Sequence, residues 1–389
     1  MYGRNLAAVS ADGLNTGSDV VAGAIATAVR HGAQWFPHLN GKQLTVRLVG
    51  RRQDRPRSLL ARLQLHDGRQ EASVVVKARA KRPTACVSGR SGLRPILVPP
   101  ELLTDLAMAR HEYDGLSMIS AGFGDSDRTR FGIARPLAWL PEHAAFVMDH
   151  VSDQTLRQRL MANSRLRPGG ARLNVASLVN AGAWLRIYHG LRPAGVLQSR
   201  LGQRTQVIEL FEQYAKFLAG RAGHTSLLTA LARSGSARAD AALLGELPLA
   251  VGHGDFVARN LFESVSGRIT VIDPMPRWLV PPYEDVARFI VGMRLLGMQI
   301  ITQGMAFGQQ ELDAYEDAFV RGYFGEDPVP REALHVYHLL ILMDKWSAAQ
   351  QPAPRRTARG LVQMANQRWS DAYFRQEALR LLSRLGCVT

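Results

Sequence analysis

The sequence predicts an α+β fold in which a small antiparallel sheet precedes a larger, mainly helical part. Three runs with the alternation or β-branched content of strands follow one another before residue 80. Most of the chain beyond residue 150 instead has the periodicity of helices. A third observation is a loop and hairpin segment, 249–273, which carries polar residues between apolar runs. We therefore expect a functional site on that segment, within the helical part.

The composition is that of a folded protein of ordinary size. The 389 residues are 46% hydrophobic and 21% charged, which excludes an intrinsically disordered chain and allows two or three domains. Two cysteines exclude a disulfide scaffold and a cysteine-based zinc site, so a reducing compartment is expected. No run approaches the length of a membrane span, and the N-terminus lacks the pattern of a signal peptide. We expect a cytoplasmic protein without a transmembrane segment.

The charge balance is strongly basic, with 48 Lys and Arg against 33 Asp and Glu and a net charge of +15. Such an excess can attract nucleic acid, an anionic membrane surface or an acidic substrate. It is equally typical of proteins encoded by a high-GC genome, which tend to be rich in arginine. The sequence has no zinc-finger spacing and no RNA-recognition motif. It therefore predicts no specific nucleic-acid partner and leaves peripheral contact with an anionic membrane open.

The first 120 residues are expected to form one short helix, a sheet and a second helix. Residues 1–40 form an N-terminal extension with a helix at about 19–34. The strand runs are 44–49, 59–65 and 73–78, and the last of them carries Lys77 near its end. A helix at about 100–120 follows, because proline and acidic residues stand near its start.

The loop and hairpin segment carries the polar residues that phosphoryl transfer requires. His253-Gly254-Asp255 is followed after four residues by Asn260, and a later apolar run ends on Asp273. The reaction needs a carboxylate at the acceptor hydroxyl, and an amide oxygen and a second carboxylate that hold Mg²⁺ against the phosphates. The Asp-to-Asn spacing equals that of the kinase catalytic loop. A turn with a capping aspartate would explain the tripeptide alone, but the spacing and the flanking strands favour catalysis.

This pattern resembles the aminoglycoside phosphotransferase and choline kinase superfamily, relatives of the protein kinases that act on small-molecule hydroxyl groups. The resemblance implies a protein-kinase-like two-lobe fold that binds ATP and Mg²⁺. Asp255 would orient and deprotonate the acceptor, and Asn260 and Asp273 would hold the metal. The lysine on the third strand of such folds contacts the nucleotide phosphates, and Lys77 matches it. An exposed lysine that merely closes a strand is the alternative interpretation.

The resemblance also implies further nucleotide contacts. In kinase-like folds the strand lysine pairs with a glutamate on the next helix, and Glu112 is the candidate, with Glu101 as the alternative. The Met-Asp-His-Val run at 148–151 resembles the kinase hinge. Met148 would lie behind the adenine, and the backbone of Asp149 and Val151 would meet the adenine edge.

The hinge places a boundary near residue 150 and completes the predicted organisation. Residues 41–150 would form the nucleotide-binding lobe, and 151–389 the helical lobe with the catalytic loop and acceptor pocket. Asp285 matches a family aspartate that braces the catalytic loop, and His189 is expected to pack rather than to catalyse. Four residues of the C-terminal part either line an acceptor cleft or simply pack: His335, His338, Asp344 and Trp346.

The expected function is ATP-dependent phosphorylation of a hydroxyl group on a small molecule or glycan. The basic charge makes an anionic acceptor reasonable without selecting one. The first alternative is a catalytically silent nucleotide-binding scaffold, against which the joint presence of Lys77, Asp255, Asn260 and Asp273 argues. A protein kinase is the second alternative. It is disfavoured because the sequence has neither a glycine-rich loop nor an Ala-Pro-Glu activation segment.

Overall fold

A computed structural model describes most of the chain, and the described residues divide into two compact units. The described ranges are 16–40, 44–55, 58–79, 104–124, 126–167, 173–193, 195, 197–350 and 358–384. Of the described residues, those in 16–79, 104–110 and 136–150 belong to the sheet unit, and those in 111–135 and from 151 onward belong to the helical unit. The predicted domain limits at residues 40 and 150 stay predictions. The basic linker 81–97 and the alternative residue Glu101 lie outside the described residues.

The helix, three strands and second helix expected in the first 120 residues appear in that order. The helices are α1 (Thr16–Trp35), α2 (Asp105–Gly122), α3 (Leu156–Ala162), α4 (Val175–His189), α5 (Arg204–Ala222), α6 (Thr225–Ala242), α7 (Tyr283–Arg294), α8 (Gly297–Ile301), α9 (Gln309–Phe324), α10 (Arg331–Ala349) and α11 (Ala358–Arg384). The strands are β1 (Thr45–Arg55), β2 (Ser58–His66), β3 (Glu71–Arg79), β4 (Phe131–Gly132), β5 (Pro136–Leu140), β6 (Ala145–Asp149), β7 (Gln154–Thr155), β8 (Gln198–Ser199), β9 (Ala250–Val251), β10 (Leu261–Glu263), β11 (Ile269–Val271) and β12 (Trp278–Val280).

The sheet unit is a five-stranded antiparallel sheet with α1 packed against it. The strand order is β1-β2-β3-β6-β5, and each neighbouring pair is antiparallel. Successive residues of a strand point to opposite faces. Val74 and Val76 of β3 are fully buried in one hydrophobic cluster with Ala24 and Ala28 of α1. The opposite face of β3 therefore presents the alternate residues, among which is Lys77.

The core of the helical unit contains a stack of aromatic rings that includes one residue of the loop after β9. The ring of Trp184 on α4 stacks on Phe123, Tyr188 and Phe256, with centroid distances of 5.0, 5.4 and 5.8 Å. All four side chains are fully buried. Because Phe256 directly follows Asp255 in the chain, this core anchors the loop that carries the predicted catalytic residue. Within the described residues, no helix is long and apolar enough to cross a membrane.

Two glycines allow α4 and α9 to cross at backbone contact distance. A Cβ atom at Gly182 would lie 2.2 Å from the carbonyl oxygen of Phe319, and one at Gly322 would lie 2.0 Å from that of Val179. No larger residue fits either position without separating the helices, since real Cβ atoms do not approach backbone so closely. The crossing brings the C-terminal end of α4 beside the C-terminal turns of α9.

Candidate active site

The loop after β9 is fixed by one buried carboxylate from α7. Asp285 accepts the backbone N–H of His253 at 2.6 Å and that of Gly254 at 3.2 Å. Gly254 has a φ of +77°, in the left-handed region that favours glycine. The predicted bracing role of Asp285 is confirmed, because a carboxylate with two backbone donors holds both peptide units in place.

The charge of Asp285 is itself maintained by its surroundings. Burial alone would raise its pKa, but the hydrogen bond and charge of His189, with the nearby His253 and Arg288, lower the pKa from 3.8 to about 2. His189 Nε2 lies 3.3 Å from the Asp285 carboxylate, and its Nδ1 lies 2.8 Å from the Tyr323 hydroxyl. His189 therefore packs, as the sequence predicts, and it also supports the Asp285 carboxylate, which was not predicted.

Asp255 is half-buried and directly follows Gly254 of this turn, and its carboxylate already accepts hydrogen bonds from two side chains. One guanidinium nitrogen of Arg259 donates to both carboxylate oxygens, at 2.9 Å to Oδ1 and 2.6 Å to Oδ2. Asn260 Nδ2 donates to Oδ2 at 2.9 Å and to the Asp255 carbonyl at 2.9 Å. A carboxylate has about four lone-pair positions. Oδ1 therefore keeps one for a further donor.

Asn260 and Asp273 come together through the backbone of the hairpin. The N–H of Ile272 donates to the Asn260 carbonyl at 3.0 Å, which places Asp273 one residue from this contact. Both N–H donors of the Asn260 amide point to Asp255, so its amide oxygen is left for another partner. An amide oxygen and a carboxylate are hard ligands that suit Mg²⁺ when phosphate and water complete the shell. The donor chemistry fits the metal, although the described residues contain no cluster of three or more His, Cys, Asp or Glu ligands.

The pKa of His253 is affected by three nearby aspartate carboxylates. The His253 ring is fully buried, and burial lowers its pKa, whereas the charges of Asp285, Asp255 and Asp273 act in the opposite direction. Its Nδ1 accepts the backbone N–H of Asp255 at 3.4 Å. The neutral ring with Nε2 protonated is therefore the form that this site holds. All three carboxylates lie within electrostatic reach of one imidazole.

The sheet unit contains an open cleft near the predicted nucleotide residues, although Lys77, Met148 and Asp149 are not among its lining residues. The cleft has a volume of about 420 Å³ and is lined by Gly50, Leu60, Val75 and His150, among others. Lys77 is buried, pairs in register with Leu60 and lies two residues along β3 from Val75, so its side chain leaves the sheet on the same face as that of Val75.

The remaining predicted nucleotide residues fall in both units. On β6, buried Met148 pairs with Val75 and Asp149 pairs with Val74, immediately before His150. Two other predicted residues belong to the helical unit: Glu112 is fully buried on α2, and Val151 is half-buried. Their predicted roles in nucleotide binding stay predictions.

Comparison with known proteins identifies the fold. No protein-family model and no curated protein matches the sequence. Among solved structures, an ethanolamine kinase from Plasmodium vivax aligns with a TM-score of 0.51 at 9% identity, covering 96% of this chain and 91% of that one. The fold is kinase-like. The predicted α+β class, with a small antiparallel sheet unit and a mainly helical remainder, is confirmed.

Other matched structures with this kinase-like fold are also small-molecule kinases or phosphotransferases. A spectinomycin phosphotransferase in complex with ADP and spectinomycin aligns at 12% identity and a TM-score of 0.49, over 87% of this chain and 93% of that one. A glucosamine kinase in complex with glucosamine, ADP and inorganic phosphate aligns at 15% identity and a TM-score of 0.49, over 88% and 83%.

Sequence reasoning missed two cations of the helical unit that interact with Asp255, namely Arg259 and Lys345. Arg259 follows Asp255 by four residues, which is the spacing of an ion pair on one helical turn, and that spacing could have revealed it. Lys345 of α10 lies in a part of the chain where the sequence favoured its neighbours Asp344 and Trp346. Those two side chains are buried: Asp344 accepts the Tyr214 hydroxyl at 2.9 Å, and Trp346 Nε1 donates to Asp371 at 2.7 Å.

Proposed function

We propose that the protein transfers the γ-phosphoryl group of ATP to a hydroxyl group of a small molecule or glycan. The observation that carries this proposal is the convergence of Asp255, Asn260 and Asp273 on one braced loop of a kinase-like fold. Phosphoryl transfer depends mainly on positioning and on charge, and these residues supply a proton acceptor and hard oxygen ligands.

In the proposed reaction, Asp255 positions the acceptor. The hydroxyl donates its hydrogen to the open lone pair of Asp255 Oδ1, and its oxygen attacks the γ-phosphorus. The bond from phosphorus to the β,γ-bridging oxygen breaks, ADP leaves, and the hydroxyl proton passes to the Asp255 carboxylate. The hydrogen bonds from Arg259 and Asn260 keep the carboxylate in one orientation for this step.

Asn260 and Asp273 are the proposed metal ligands. The Asn260 amide oxygen is available because its nitrogen is fixed at Asp255. Asp273 contributes the charge, and its backbone is held with a φ of +61°, a region that non-glycine residues seldom adopt. Such unusual backbone conformations concentrate at functional sites. Bound Mg²⁺ would supply positive charge against the phosphate oxygens.

The cleft of the sheet unit supports the proposed nucleotide site. It opens on the face of β3 that presents Lys77, and it reaches His150, which stands between the proposed adenine contacts at Asp149 and Val151. Lys77 would contact the ATP phosphates, and Met148 would lie behind the adenine. The pairing of Lys77 with Glu112 and a cytoplasmic location both stay predictions.

The test is Mg²⁺-dependent consumption of ATP by the purified protein, with and without a panel of hydroxyl compounds. The Asp255→Asn variant is expected to lower turnover by about two orders of magnitude or more while ATP binding stays near normal, because only the proton acceptor is lost. The Asp327→Asn variant makes the same chemical change at an exposed ion pair and serves as the control. Equal turnover in the wild type and Asp255→Asn would remove Asp255 from the mechanism.

The same assay separates the enzyme from the silent scaffold. Asp273→Gly removes the proposed metal charge without opposing the left-handed backbone at this position. It should abolish the response of turnover to Mg²⁺. A scaffold would gain thermal stability with ATP by mass action and show no turnover with any hydroxyl compound.

A further inference from the structure

The helical unit contains a second cleft, whose lining includes Val257, Ala258 and Arg259, close in the chain to the predicted catalytic residue Asp255. It has a volume of about 340 Å³ and lies between the catalytic loop, the first turn of α3, the α7–α8 connection and α10. Arg259 is part of its lining and contacts the Asp255 carboxylate at 2.6 Å. A molecule in this cleft therefore lies beside the arginine that contacts the carboxylate proposed to accept a hydroxyl proton.

The lining of this cleft combines apolar walls with an excess of positive charge. Among the described residues that line it, three are cationic and none is a carboxylate. The cations are Arg157, Arg259 and Lys345, and the walls include Val257, Leu295 and Leu296. Clefts lined by one sign of charge concentrate oppositely charged ligands.

The positive charge is only partly compensated by the protein. Arg259 is paired with Asp255, but the described residues provide no ion pair for Arg157 or Lys345. Burial lowers the pKa of Lys345, and the charge of Arg288 lowers it further, whereas Asp344 and Asp255 raise it. The Lys345 amine is thus held in a partly dehydrated place within reach of Asp255. An anionic ligand would relieve this excess.

The cations also occupy well-anchored positions. The backbone N–H of Arg157 donates to the Ala258 carbonyl at 2.9 Å, which fixes the start of α3 against the catalytic loop. Lys345 stands on α10 between buried Asp344 and fully buried Trp346. The core therefore fixes both main-chain positions, and both cationic side chains belong to the lining of the cleft.

We propose that this cleft binds the phosphoryl acceptor, and that the acceptor carries a phosphate or carboxylate group besides the hydroxyl that is phosphorylated. The anion would lie against Arg157 and Lys345, the carbon skeleton against the apolar walls, and the hydroxyl at Asp255. Arg259 would divide its donors between the anion and Asp255. This inference rests on the proposed function, and it narrows the acceptor to anionic alcohols such as sugar phosphates or sugar acids.

Calorimetric titration tests the cleft without relying on turnover. The probes are glucose 6-phosphate, glucuronate and their neutral counterpart glucose, together with glycerol 3-phosphate and glycerol. In the wild type, the anionic members should bind at least about tenfold more tightly than the neutral ones at about 0.05 M salt, and the difference should shrink at about 0.3 M. A phosphate preference over glucuronate identifies phosphate as the recognised group, and the reverse identifies carboxylate.

Three variants that each remove one positive charge test whether the preference for anionic ligands arises in this cleft. Lys345→Met and Arg157→Gln should each reduce the preference for the anion about tenfold, with unchanged circular dichroism. Lys216→Met removes a charge from an exposed position on α5, outside the cleft lining, and should keep the preference. Arg157 is exposed, so its variant remains informative if the Lys345 variant folds poorly.

The two proposals fail in different ways. Phosphoryl transfer to neutral alcohols with no preference for anionic ones would overturn the cleft assignment and leave the phosphotransferase proposal standing. Anion binding that both cleft variants retain would also overturn the assignment. Binding that depends on Lys345 and Arg157, with no transfer to any bound compound, would support the cleft and contradict the proposed function.

Discussion

Replacing Asp285 by Asn should loosen the loop that carries Asp255 and lower the stability of the whole protein. The carboxylate accepts two backbone N–H groups, from His253 and Gly254, and lies beside His189. The Asn side chain has a single acceptor oxygen, so it can accept only one of these two N–H groups well, because its amide nitrogen would face the other donor. Leaving a buried donor unpaired costs about 1–3 kcal/mol.

The pKa of Asp285 gives a second measure of this loss. A pKa lowered from 3.8 to about 2 contributes roughly 2 kcal/mol of stability at neutral pH. Because the folded-state pKa is the lower one, this contribution is present above pH 3.8 and is lost as the pH falls towards about 2. About half of it should be gone near pH 3. We therefore expect Asp285→Asn to cost about 2–4 kcal/mol at pH 7 and clearly less in acid.

Urea unfolding of the wild type and the variant, at several pH values between about 7 and 3, measures both quantities. Asp327→Asn, at an exposed pair with Arg186, is the matched control and should stay within about 0.5 kcal/mol of the wild type. The reasoning would be refuted by an Asp285→Asn variant as stable as the wild type. A stability difference that grows on acidification would refute it as well.

Two further substitutions test the packing of the helical unit. Arg294→Met should destabilise by about 3 kcal/mol, because it removes the nearer guanidinium partner of the largely buried Glu316 carboxylate and leaves Arg384 at 3.8 Å. Arg204→Met at an exposed pair should cost less than about 1 kcal/mol. Trp184→Ala should cost about 3–5 kcal/mol by opening a cavity in the aromatic stack. Urea unfolding checks both, and a loss below about 1 kcal/mol in either buried variant would contradict the corresponding account.

The sequence predicts those parts of the fold that local patterns encode. The three strand runs appear as β1, β2 and β3, because alternation along a strand reflects burial on one face. The helix expected near residues 19–34 appears as α1, but its packing on the sheet was not predicted. No property of α1 alone specifies which surface covers Ala24 and Ala28.

In the candidate site, too, the sequence predicts residues that lie close together in the chain and misses one that only packing brings there. Asp255 and Asn260 were found because they belong to one loop, and the structure joins them by a hydrogen bond of 2.9 Å. Lys345 was not found, because its place near Asp255 depends on how α10 packs, far along the chain. Helical periodicity could suggest this region but not which of three consecutive residues points to the cleft. Burial decides that, and it places Asp344 and Trp346 in the core.

The glycine crossing of α4 and α9 has a consequence for the order in which the protein can be completed during synthesis. His189 and Tyr323 are 134 residues apart, so at typical ribosomal rates α4 waits roughly 7–25 s for the helix that crosses it. Through that interval the face around Gly182 lacks the backbone of α9, and once Asp285 has been added its brace still lacks the support that Tyr323 gives to His189. Ribosome-bound chains halted before and after α9 should therefore differ in protease resistance at α4, and equal resistance would show that α4 is protected earlier.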